Sequence, residues 1–167
     1  MNAEDGMTLE PEEERALVAE LAQAVVARAA PEELAIFDET VEEYFRDPDG
    51  VLHARGRDEA VGFGLELGLL SPYVLAIASS VVSFLVSTIA DSAKEESKTL
   101  LAPWIRRLFT GSSERGREPA EDSRPLTPEQ GRRVRKIAYE RATVLGLPAA
   151  TADVLADAVV GGVLVSE

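Results

Sequence analysis

Glu39, Glu42 and Glu43 recur at the three- and four-residue steps that bring carboxylates to one side of a helix. Metal sites and general acid–base pairs use such an arrangement. Here no ligand of another type accompanies them, and they read as a solvated acidic stripe. His53, within HARGR, is the only histidine, and the chain has no cysteine. Disulfides, thiolate catalysis and Cys-based zinc sites are therefore excluded, and neither a His-based zinc centre nor a Ser-His-Asp triad is expected. Gly62-x-Gly64 followed by Gly68 misses the spacing of a dinucleotide-binding loop and follows no strand pattern. Arg132, Arg133, Arg135 and Lys136 make the most basic patch. They lie in a near-neutral half of an acidic chain with no helix-turn-helix pattern around them. They suit docking against Glu39, Glu42 and Glu43, or against lipid headgroups, better than nucleic acid. The expectation is a non-enzymatic protein with no cofactor, no catalytic residue and no metal.

The charge distribution agrees. The net charge is −13; residues 1–66 hold 18 acidic and 5 basic side chains, and residues 67–167 hold 12 of each. All the excess negative charge lies in the first part, which nucleic-acid phosphates and anionic lipid would repel. The start, MNAEDGMTLEPEEER, lacks the basic-then-apolar pattern of a secretory signal. Only 5% of residues are aromatic, and Ala, Val and Leu supply the apolar surface, which favours helices.

From Leu67 to Ala90 the chain runs 24 residues without a charge, although 28% of all residues are charged. Runs of ~18 or more such residues are candidate membrane spans. Ser71-Pro72 resembles an N-cap followed by a first-turn proline. A helix over 72–90 extends about 28 Å at ~1.5 Å per residue, close to the ~30 Å hydrocarbon core of a bilayer. Within it Ala76, Ser80, Ser83, Ser87 and Ala90 follow steps of 4, 3, 4 and 3, and Ser79 extends the series. These six residues are the expected helix–helix interface, a small-residue seam of the kind that lets membrane helices approach closely. The alternative is a central helix of a soluble bundle, apolar all round because its neighbours enclose it.

Beyond the run, Leu100, Leu101, Trp104, Ile105, Leu108 and Phe109 form an amphipathic stretch. Trp104, Arg106, Arg107 and Phe109 have the composition of a membrane-interface anchor, or else of one more amphipathic core helix. The 20 residues after Ala90 carry four basic side chains and the 20 before Pro72 carry two, which places the C-terminal side in the cytoplasm.

The flanking elements are helical hairpins. Pro11 opens a helix with Leu17, Leu21, Val25 and Ala29 on one face. Pro31 opens a second, with Leu34, Phe37, Val41, Tyr44 and Phe45 inward. Asp47-Pro48-Asp49-Gly50 signals a turn, and 51–71 reads as a Gly-rich loop with one helical turn near Asp58–Val61. Residues 72–110 hold the hydrophobic helix, continued into DSAKEESKTLLA, and the amphipathic helix with a kink or restart at Pro103. Residues 111–126 read as a flexible linker. In 127–167, Thr127 and Gln130 form a capping box, Val134, Ile137, Ala138, Ala142 and Leu145 face inward, Gly146 stops the helix, and Pro148 opens the last one.

The sequence thus predicts an all-α protein in which helical hairpins, one of them the acidic 1–50 segment, flank one long hydrophobic helix. The leading expectation is a membrane-associated protein that self-assembles as a homo-oligomer through its small-residue seam. It would act as a pore-forming or membrane-perturbing effector, or anchor a complex at a bacterial inner membrane. The alternative is a cytoplasmic, soluble interaction or adaptor module whose C-terminal hairpin engages a protein partner.

Overall fold

The computed structural model describes residues 9–58, 69–92, 101–109, 125–163 and 165. Seven α-helices account for most of them: α1 (Pro11–Ala29), α2 (Phe37–Arg46), α3 (Pro48–Asp58), α4 (Ser71–Ser92), α5 (Leu101–Leu108), α6 (Pro128–Val144) and α7 (Ala149–Gly161). The all-α class holds, with the long apolar helix α4 flanked by the others. α4 packs against α1, α2, α3, α5 and α6, while α7 closes onto α1 and α6.

The expected inward faces form the core. Leu17, Leu21 and Val25 of α1 meet Leu75, Ile77, Val81 and Leu85 of α4, Ile105 of α5, Val134 of α6, and Leu155 and Val159 of α7 in one contiguous cluster. Ala22, Ala76, Ala78, Ala138, Ala142, Ala152 and Ala156 are buried among them, so helices approach closely where bulkier side chains would hold them apart. Each large side chain taken out of water here contributes roughly 1.5–3 kcal/mol.

The ends of α6 follow local chemistry. Thr127 Oγ1 accepts from Gln130 N at 3.2 Å, and Gln130 Oε1 accepts from Thr127 N at 2.9 Å, a reciprocal capping box. Gly146, at φ 88°, takes the left-handed conformation that ends the helix. Pro148 then caps α7 rather than opening its first turn.

Four expectations need correction. The segment opened by Pro31 begins as a 3₁₀ helix, Pro31–Ile36, before α2 starts at Phe37. The inward position falls to Glu33, whose carboxylate finds backbone donors there, and Leu34, predicted to be core, is 38% exposed. Asp47-Pro48-Asp49-Gly50 is a helix start rather than a turn. Asp47 Oδ1 accepts from Gly50 N at 3.0 Å, an N-cap followed by proline in the first helical position. α3 consequently occupies 48–58, including the first part of the expected 51–71 loop. Finally, Leu126 is not part of an open linker. It is buried and bridges Val165 in parallel, while Phe109 bridges Val163 antiparallel. The C-terminal segment thus ties both ends of the 110–125 stretch. It lies so close to α6 that a Cβ on Gly131 would stand 2.9 Å from Val165 Cγ1. The turn expected near Asp58–Val61 beyond Asp58, the continuation of the hydrophobic helix beyond Ser92, and nearly all of the 111–126 linker lie outside the described residues.

Candidate functional site: the sheathed apolar helix

Among the described residues α4 is the one helix long and apolar enough to cross a membrane. From Ser71 to Ala78 every residue is buried, and Val81, Val82, Leu85 and Ile89 continue the inward face. Its outward stripe lies towards the C-terminal half and consists of Ser83 and Ser87, both exposed, with Ser79, Ser80, Phe84, Val86, Thr88 and Ala90 half-buried beside them. The small-residue seam therefore runs from the interior to the surface: Ala76 is buried and Ser83 and Ser87 face out. The first charged residue on the helix is Asp91.

The hydroxyls of the stripe bond along their own helix. Ser87 Oγ donates to Ser83 O at 2.9 Å, and Ser80 Oγ donates to Ala76 O at 3.4 Å. Such back-bonding satisfies a hydroxyl without solvent or a neighbouring chain. Arg133 of α6 stands over the Phe84 ring, its guanidinium carbon 5.9 Å from the centroid.

The start of α4 is held from elsewhere in the chain. Glu33, only 7% exposed, accepts from Leu70 N at 2.7 Å through Oε1 and from Ser71 N at 2.8 Å through Oε2. Ser71 Oγ donates to the same Oε2. Ser71, expected to cap the helix, is its first residue, and the carboxylate of a distant glutamate takes the capping role. Sequence spacing held no signal for this, because the partners lie 37 and 38 residues apart.

Of the four expected membrane-interface residues, three engage the bundle. Trp104 is half-buried against the core, and Phe109 is buried in its bridge to Val163. Arg106 Nε donates to Glu20 Oε1 at 2.8 Å and Oε2 at 2.9 Å, joining α5 to α1. Arg107 is exposed.

The polar groups that suggested chemistry are dispersed. His53 sits on α3 rather than in a loop, exposed, and its Nδ1 donates to Asp49 O at 2.6 Å. Glu39, Glu42 and Glu43 are exposed on α2. Among the described residues no group of three or more His, Asp or Glu side chains converges as metal ligands would. In the basic patch, Arg135 does not meet the acidic hairpin. It bonds Asp157 at 2.7 Å and Asp153 at 3.1 Å on α7, and these hydrogen bonds raise its already high pKa. Lys136 pairs with Glu140 at 3.7 Å. Tyr44 is buried, and loss of water raises its phenol pKa above the ordinary 10, with Arg141 opposing and Asp49 adding to the shift.

The arrangement presents an apolar rod of membrane-spanning length, packed by other helices along its inward face and held at one end by a buried carboxylate. No family model, no curated protein and no solved structure matches the chain.

Proposed function

We propose that the protein is a membrane-active helical protein that stores a bilayer-spanning helix inside a soluble bundle. In this reading α4 leaves its sheath, enters lipid, and self-assembles through Ala76, Ser79, Ser80, Ser83, Ser87 and Ala90. The single observation that carries it is the outward stripe of α4. A helix built only to sit in a soluble bundle ordinarily places charges where it meets water. α4 carries none from Ser71 through Ala90, even at Ser83 and Ser87, which face out. The hydroxyls of Ser80 and Ser87 already have acceptors on their own helix, so transfer to hydrocarbon strands neither.

The energetics permit the transfer. Lipid tails are as apolar as the core that α4 leaves, so its own side chains keep the benefit of avoiding water. The helices left behind expose apolar faces, which suits them to lie in the bilayer interface. Arg106, Arg107 and Trp104 on α5 would then meet headgroups. The acidic hairpin keeps the stored form hydrated and away from anionic surfaces.

A second reading, a soluble interaction module, draws on the N-terminal half of α4, where Ser71–Ala78 are wholly covered by the protein's own helices. Dye-loaded zwitterionic vesicles separate the two. The first reading predicts that the protein sediments with vesicles, resists carbonate extraction and releases the dye. Protein left in the supernatant beside sealed vesicles would favour the soluble module.

A further inference from the structure

Glu33 is a carboxylate from the acidic hairpin, buried, with both oxygens committed to the first residues of α4. The start of that helix has few means of its own to stay in place. Leu70 offers no side-chain acceptor, Pro72 has no N–H, and the Ser71 hydroxyl is turned to Glu33 rather than to the helix. We propose that Glu33 is the latch that holds α4 in its stored position, an autoinhibitory contact between the acidic hairpin and the apolar helix. This rests on the membrane reading of α4 given above.

A contact controls a two-state equilibrium only if it differs between the states. The apolar packing of α4 is largely matched in lipid, so it does little to distinguish stored from inserted helix. The Glu33 contact does distinguish them. Insertion carries the N–H groups of Leu70 and Ser71 away from Glu33, whose charge bars it from following the helix into hydrocarbon. Glu33 reaches the helix start from the 3₁₀ turn at Pro31–Ile36, between α1 and α2.

The test uses the full chain with Glu33→Gln, which keeps the shape and removes the charge. Glu20→Gln serves as control because it breaks the Arg106 contact elsewhere in the bundle. Amide hydrogen exchange and partition into zwitterionic vesicles are measured together. The latch predicts that Glu33→Gln speeds exchange at Leu70, Ser71 and Val74 by tenfold or more, leaves α6 and α7 protected, and raises vesicle partition at least fivefold. Glu20→Gln should match the wild type in both at α4. If Glu33→Gln does not fold, Ser71→Ala, which removes one of the three bonds, should show the same two changes at smaller size. Wild-type exchange at Leu70 and Ser71 in these variants overturns the latch. So does faster exchange without added partition when the wild-type protein itself binds vesicles. If wild type and variants all stay off vesicles, both the latch and the membrane reading fall.

Discussion

Tyr44 and Glu33 bring ionisable groups into the interior of this bundle by different means. Glu33 is satisfied by three donors at the start of α4. Tyr44 is buried as a neutral phenol whose pKa burial raises above 10. Because the folded state holds that proton more tightly than the unfolded chain, the linked stability is whole below pH ~10 and is lost as pH rises through the higher folded pKa. Urea unfolding at pH values on either side of ~10 should show the wild type weakening more steeply than Tyr44→Phe. Parallel slopes would mean Tyr44 is free to ionise in the fold. At this scale the sequence was legible where partners are neighbours. Thr127 and Gln130 announce their capping box because they stand three residues apart. Glu33 announces nothing: its role depends on amides brought close only by the tertiary fold.

Among the elements, α4 is anchored on one face and bare on the other, and substitutions should separate the two. Leu85, wholly buried, should cost ~2–5 kcal/mol when cut to alanine, as large-to-small core changes do. Ser83→Leu, on the exposed stripe, should change stability by less than ~0.5 kcal/mol. In vesicles the order reverses. Ser83→Leu fills the seam and should abolish cross-linked oligomers, whereas oligomers at wild-type level would dismiss the seam as an interface. The helices themselves were largely readable from apolar spacing, proline starts and Gly146. α3 was not, because Gly50 and Gly56 lower helix propensity, while Asp47 and Pro48 supply a cap and a first-turn proline that outweigh it. Nor does the hydrophobic run disclose its surroundings. A helix enclosed by protein and one enclosed by lipid need the same lack of charge, and only the fold shows that α1, α2, α3, α5 and α6 pack against it.

The whole molecule combines an acidic exterior with an apolar rod. The net charge of −13 lies entirely in residues 1–66, and the uncharged run begins at Leu67. The same division places Glu33 in the half that restrains and Ser71 in the half that is restrained. That the protein uses α4 in lipid is the claim on which the proposed function and the latch both depend. The chain has no cysteine, so Ser83→Cys carries a single environment-sensitive fluorophore at a position exposed in the stored form. On adding zwitterionic vesicles its emission should shift to the blue, rise in intensity, and become quenchable by a spin label placed deep in the acyl chains. Emission that stays at its aqueous wavelength, quenched only by a water-soluble agent, would contradict insertion and leave α4 a core helix.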